Sequence, residues 1–282
     1  VVLDPQWSRT GSLALARTAH QSVTIKSRGL VLACGGYDSA GVNTTSCETF
    51  NEVTGTWAAS PSMPIPRAEF TLTYLDLPMV VALGGYSNGA ETATIHLLET
   101  TNFSWTSSSQ TLFLNQGVAN HQAVAVSPSL LVVMGGQRGS GTCINRVGTI
   151  ATYNAATDTF TQLLQALNEG RAYHQATLIS SGPAAGQILV TGGVQTCCLL
   201  NCPGPALQGE LFNPSTSSVT QVGAMRAPGR LLAASYPLAD GGVLVAGGYL
   251  DLANLVGYAS SEVYTFGAGF SDAGALPFQA GA

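Results

Sequence analysis

Two adjacent glycines close a short apolar run at five places: LVLACGG (30–36), MVVALGG (79–85), LLVVMGG (130–136), QILVTGG (187–193) and GVLVAGG (242–248). Their second glycines recur at intervals of 49, 51, 57 and 55 residues. A signature at that period marks one supersecondary unit, repeated, that cannot bury its own apolar faces and must stack on its neighbours.

The rest of each unit is strand-like. Upstream lies a second apolar run, HQSVTI, FTLTYL, HQAVAV, HQATLI or LLAASY, joined to the first by turn formers such as KSRG, DLP, SPS, SSGPAAG and ADGG. That is a hairpin, strand a then strand b. Downstream comes a third run, CETF, IHLL, IATY, GELF or SEVY, and then a turn. The pairs Phe50–Trp57, Leu98–Trp105, Tyr153–Phe160 and Phe212–Val219 are seven residues apart, and Tyr264–Phe270 six. These are strands c and d. Radial stacking of such four-stranded sheets buries both faces and leaves only short edges.

This unit resembles the kelch repeat, and the likeness runs over about residues 11–276. The resemblance implies an all-β fold, a kelch-type β-propeller of four-stranded antiparallel blades in a single domain, 1–282. The repeats are approximately 17–66, 67–116, 117–170, 171–225 and 226–276, which counts five blades. Residues 1–16, with Leu3, Asp4, Pro5 and Trp7 in c–d order, read as a closing segment that supplies the last blade's outer strand. The alternative is six blades, one of them incomplete, with strands a and b outside this chain. The fold alone names no function.

Composition narrows the partners. Charged residues are 9% of the chain, against about 25% in a typical soluble domain. A net charge of −5 with no basic cluster excludes nucleic acid as the expected ligand. No apolar run approaches the roughly 20 residues of a transmembrane helix. The chain starts at Val1 rather than Met, as after removal of a leader or in a fragment. Six cysteines and low charge point to an oxidising compartment, outside the cell or in the secretory lumen. Low charge suits a subunit embedded in an assembly. It equally suits a glycosylated or salt-adapted secreted protein.

Cys34 precedes its double glycine on strand b and Cys47 opens strand c of the same unit, so that pair is within bridging reach. Cys143 lies in the third b–c loop and Cys197, Cys198 and Cys202 in the fourth. Cys143 is expected to pair with one of these three, leaving a local bridge. Free buried thiols are the alternative. Two sequons, Asn43-Thr44-Thr45 and Asn102-Phe103-Ser104, are candidate glycosylation sites, both expected to be exposed.

Alternating strand direction places the long b–c loops and the d–a loops on one face, the natural place for a binding surface. Tyr37, Tyr86 and Tyr249, each directly after a double glycine, and Arg138 are the binding-face candidates. His20, Phe70, His121 and His174 share the start of strand a, with Arg17, Arg67 and Arg171 three residues upstream, and Arg230 takes the arginine place in the fifth unit, which has Leu232 or Ala233 for the histidine. The Tyr173–His174 pair is therefore read as repeat grammar, with the histidine hydrogen-bonded beneath the d–a loop. His96 reads as a half-exposed strand residue.

The segment AYHQATL…VTGGVQTCCLLNCPG is also similar to one in galactose oxidase and its copper-radical relatives, where a Tyr–His pair ligates copper. That resemblance implies a degenerate oxidase using Tyr173 and His174. The remaining ligands of the family have no counterpart in the other units. The expectation is a non-catalytic extracellular binding or assembly module with a protein partner and no cofactor or metal. A degenerate oxidase and a lectin-like glycan binder are the alternatives.

Overall fold

A computed structural model describes residues 10–139, 143–195, 197–198, 206–226, 230–251 and 256–276. Five four-stranded antiparallel sheets, each in the order a-b-c-d, form a five-bladed β-propeller. Blade one is Gln21–Ile25, Leu30–Cys34, Cys47–Asn51 and Thr56–Ser60. Blade two is Thr71–Leu75, Met79–Leu83, Thr94–Glu99 and Ser104–Thr111. Blade three is Gln122–Ala125, Leu130–Met134, Thr149–Asn154 and Thr159–Ala166. Blade four is Gln175–Leu178, Ile188–Thr191, Gln208–Asn213 and Ser218–Ala224. Blade five is Ala234–Pro237, Val243–Ala246, Ser260–Thr265 and Gly269–Ala275.

Strands a are innermost and pack blade to blade. The spacing read from the sequence is cross-strand pairing: Phe50 stands opposite Trp57, Leu98 opposite Trp105, Tyr153 opposite Phe160 and Tyr264 opposite Phe270. The fifth blade carries its own outer strand, Gly269–Ala275. Of the proposed closing segment, residues 1–9 lie outside the described residues. Residues 14 and 15 sit against blade one, where their backbone N–H groups donate to the Glu48 carboxylate at 2.7 and 3.3 Å.

Side chains alternate along each strand, so each blade offers one face to its predecessor and one to its successor. Leu32 and Cys34 of blade one meet Leu72, Val80 and Leu98 of blade two. Val81 and Leu83 of blade two meet Leu131 and Tyr153 of blade three. Val132 and Met134 meet Ile188 and Phe212 of blade four, and Leu189 meets Val243 and Tyr264 of blade five.

The double glycine is forced by this stacking. A Cβ on Gly35 would lie 2.5 Å from the Arg67 carbonyl of the next blade. One on Gly36 would lie 2.5 Å from the Thr18 carbonyl of its own blade. Both have positive φ, 68° and 91°, which glycine adopts without a side-chain penalty.

The repeated arginine is a buried tie. Arg17, Arg171 and Arg230 reach strand c of their own blades and pair with Glu48, Glu210 and Glu262 at 2.7, 2.6 and 3.0 Å. Each also donates to the carbonyl of its blade's first double-glycine residue. Blade three has Val118 and Ala151 at these places, so arginine and carboxylate are absent together. That is the combination that leaves no buried charge unpaired. In blade two, His96 replaces the carboxylate and is buried, not half-exposed, because Arg67 hydrogen-bonds its Nδ1. Burial, then the Arg67 charge, pushes His96 down to about 4, so it is a neutral acceptor.

Candidate binding face at the channel mouth

On the long-loop face the chain turns into strand a through one residue per unit: Ala19, Glu69, Asn120, Tyr173 and Leu232. All five have left-handed φ, between 51° and 58°. That conformation costs a non-glycine residue about 1–2 kcal/mol, and it persists only where the surroundings over-determine it. Here a backbone ladder runs around the mouth. Glu69 N–H donates to Ala19 O, Asn120 to Glu69, Tyr173 to Asn120 and Leu232 to Tyr173, at 3.1, 3.1, 3.2 and 2.9 Å.

A second ring lies just outside. Tyr37, Tyr86, Gln137, Val194 and Tyr249 directly follow their double glycines. They bridge Thr18, Ala68, Ala119, Ala172 and Leu231 respectively. Several b–c loops are themselves ordered into short ribbons: Tyr86–Ser87 with Ala90–Glu91, Gln137–Arg138 with Cys143–Arg146, and Tyr249–Asp251 with Val256–Gly257. Cys143–Arg146 also pairs with Cys197–Cys198, joining the loops of blades three and four.

Glu69 organises the chemistry of this mouth. The Tyr37 hydroxyl donates to Glu69 Oε1 at 3.4 Å, and Asn120 Nδ2 donates to Oε2 at 2.6 Å. Gln137 Nε2 donates to the Tyr86 hydroxyl at 2.8 Å. Burial raises the Tyr86 phenol to about 12, with Glu91 and Glu69 adding to it. Burial and Glu69 also raise Tyr37 and Tyr173, and Arg146 opposes the shift at Tyr173. The phenols are therefore neutral, and the Glu69 carboxylate accepts from the Tyr37 hydroxyl and the Asn120 amide. Such a set can hydrogen-bond a polar group and offers a carboxylate to a cation.

Two of the sequence-predicted residues, Tyr37 and Tyr86, stand in this cluster. Tyr249 is half-buried at the rim. Arg138 turns aside, with its guanidinium 4.7 Å from the Phe113 ring centroid and a hydrogen bond to Gln116. Glu69, Asn120 and Gln137 were not anticipated. Their signal is positional: each stands one place before the repeat histidine position or one place after a double glycine.

Tyr173 and His174 part company. Tyr173 faces the mouth, within influence of Glu69 and Arg146. His174 is wholly buried, and a Cβ on Gly135 of the preceding blade would lie 2.5 Å from its Cε1. Phe70 and His121 pack the same way over Gly35 and Gly84. The repeat position therefore packs a ring on the preceding double glycine. The expected hydrogen bond beneath the d–a loop is not made: neither nitrogen of His174 has one of normal geometry. His121 does bond, through Nε2 to Thr71 Oγ1 at 3.1 Å. Burial and neighbouring charge push both histidines down to about 3. Because Tyr173 and His174 face different surroundings, they do not fit a shared copper. Among the described residues, no three His, Cys, Asp or Glu side chains group to hold a metal.

Cys34 and Cys47 form a disulfide, with Cα atoms 4.2 Å apart. The backbone register sets Cys143 opposite Cys198. Cys202 lies outside the described residues. Asn102 is exposed, whereas Asn43 is half-buried with its Nδ2 shielded, because it bridges Tyr37 rather than standing free in its loop.

A search of curated proteins gives no match to this sequence. The kelch motif matches residues 20–64, which take in blade one from strand a to strand d and the start of the connection to blade two. With that motif in blade one and the same strand order and double glycine in the four blades that follow, the chain is a five-bladed β-propeller carrying a kelch motif.

Proposed function

We propose that the chain is a non-catalytic extracellular binding or assembly module that presents its long-loop face to a protein partner. Kelch propellers commonly bind proteins. The observation that carries the reading is the channel mouth. There the Glu69 carboxylate, the Asn120 amide and the Tyr173 phenol stand on left-handed backbone in a ladder that links all five blades, with Tyr37, Tyr86 and Gln137 in the ring just outside. A site so preorganised loses little entropy on binding. Its chemistry suits a lysine or arginine side chain entering the mouth, with Glu69 as counter-charge. The Cys34–Cys47 disulfide supports an oxidising compartment.

The test is the native mass of the protein extracted gently from its source. A mass well above 28.9 kDa, reduced by Glu69→Gln, is expected. A clean monomer whose mass the substitution leaves unchanged refutes the reading.

A further inference from the structure

Three departures from the repeat fall at one junction, between blades four and five. The units align on strand c, where Phe50, Leu98, Tyr153 and Phe212 stand opposite Val31, Val80, Leu131 and Ile188 of strand b. The residue before each strand b partner is Leu30, Met79 and Leu130 in the first three blades, but Gln187 in blade four. Leu30 and Met79 pack into the core shared with the next blade. Three residues before Phe212, blade four has Gly209, where the other blades have Cys47, Ile95, Ile150 and Ser261. The Phe270 ring of blade five takes the vacated space, since a Cβ on Gly209 would lie 2.7 Å from it. Two residues after Tyr264, blade five has Phe266, where the other blades have Glu52, Thr100, Ala155 and Pro214.

Together these changes leave a cleft of about 700 Å³ between the outer strand of blade four and the c–d turn of blade five. The outer gap between blades two and three is about 200 Å³, with Phe113 packed edge-on against Phe160. The two walls of the larger cleft differ. Blade five supplies rings: Tyr264, Phe270 at 5.3 Å between centroids, and Phe266, which is 45% exposed. Blade four supplies the Gln187 amide and the Thr220 hydroxyl. Both belong to the side of the sheet that faces blade five. Gln187 lies two residues before Leu189 and Thr220 stands opposite Leu211, and both leucines pack on blade five. Among the described residues, no charged side chain lines the cleft. Among them too, the side chains of Gln187 and Thr220 have no hydrogen-bond partner.

We infer that this cleft is a binding site for a neutral sugar residue, seated with its C–H face on Phe266 and its hydroxyls on Gln187 and Thr220. The lining selects that chemistry. An uncharged wall has nothing to neutralise a phosphate, a carboxylate or an ammonium group taken out of water. A hydrocarbon chain would shield Gln187 from water and leave its amide unbonded, which is costly. Amides and hydroxyls both donate and accept, as sugar hydroxyls do. An aromatic face takes the apolar side of a pyranose ring, whose hydroxyls stand around its edge. The volume lies within the roughly 300–1,000 Å³ of small-ligand sites. Gln187 ends an a–b turn and Phe266 stands in a c–d turn, so the cleft lies away from the long-loop face and does not depend on the mouth.

The test is saturation-transfer NMR on the whole chain. The probes are the methyl glycosides of glucose, galactose, mannose and N-acetylglucosamine, with glucuronate as the charged control. At least one neutral probe should receive saturation, strongest at the C–H protons of one ring face, and glucuronate none. Gln187→Leu puts back the residue of blades one and three, so Tm should hold while binding weakens about tenfold, the worth of a hydrogen bond. Phe266→Ala, at an exposed turn position, should likewise weaken binding and leave Tm unchanged. Glu69→Gln, at the mouth, should leave sugar binding unchanged. Silence from all four neutral probes overturns the site. So does an equal response from glucuronate, or binding that survives both Gln187→Leu and Phe266→Ala. Loss of binding in Glu69→Gln would move the sugar to the mouth and overturn the site as well.

Discussion

The buried pair of Arg171 and Glu210 offers a quantitative test of how the repeat tolerates charge. Arg171 donates to Glu210 Oε1 at 2.6 Å and to the carbonyls of Gly192 and Gln208 at 3.1 and 3.0 Å. Glu210 Oε2 accepts from Asn168 N and Nδ2 at 2.6 and 2.8 Å. Both side chains are fully buried. Arg171→Val leaves a buried carboxylate without its cation, and Glu210→Ala leaves the guanidinium only the partly exposed Glu169 carboxylate at 3.4 Å. Each should cost about 3–5 kcal/mol, the range for breaking one side of a buried pair. The double variant reproduces the Val118/Ala151 combination of blade three and removes both charges at once. Its cost should fall about 2–3 kcal/mol short of the sum of the singles. At about 2–4 °C of Tm per kcal/mol, each single should lower Tm by roughly 10 °C, and the double by roughly 15 °C rather than the roughly 20–25 °C of additive losses. Urea unfolding of the four proteins gives the coupling directly. Additive losses would refute the argument that arginine and carboxylate are lost together in blade three because an unpaired charge cannot be buried there.

Other expectations follow from the same contacts. His121 and His174 titrate near 3 in the fold and His96 near 4, against about 6.5 in the unfolded chain. Below pH 6.5 the unfolded chain therefore holds more protons, and stability falls with acid by up to about 1.4 kcal/mol per pH unit for each histidine. Urea midpoints between pH 7 and 4.5 should drop steeply, and a flat profile would contradict the burial of these rings. Removing the Cys34–Cys47 bridge, which spans 13 residues, with paired Ala substitutions should cost about 3 kcal/mol. An unchanged unfolding midpoint would remove it as a stabilising element. A non-reducing peptide map should link Cys143 to Cys198, its partner in backbone register, and leave Cys197 for Cys202. Any other pairing shows that the register does not decide the bridge.

The parts of this molecule that the sequence made legible are those the repeat writes several times. Five double glycines and the seven-residue c–d spacing predicted blades and cross-strand partners, because stacking demands the same contact at every junction. What escaped was chemistry written once per unit with different letters. Ala19, Glu69, Asn120, Tyr173 and Leu232 share a left-handed backbone and a ladder, yet no residue type is common to them, so only alignment to the neighbouring histidine position reveals them. His96 was misjudged because its burial depends on Arg67, 29 residues away in sequence. Asn43 was misjudged because its bridge to Tyr37 folds the loop inward.

The junction between blades five and one shows the limit of counting from the other side. Five copies of a signature count five blades, but a ring is closed by a junction between the last copy and the first, and that junction has no signature of its own. It is visible only as the burial that Phe50 and Leu244 lack while their counterparts in the other blades have it. Gly247 makes the point most sharply. Its sequence context is that of the other first glycines and its φ of 64° is theirs too, yet among the described residues no carbonyl stands where one requires a glycine at the other four junctions. The repeat has thus kept at blade five a glycine for which the described residues give no packing reason.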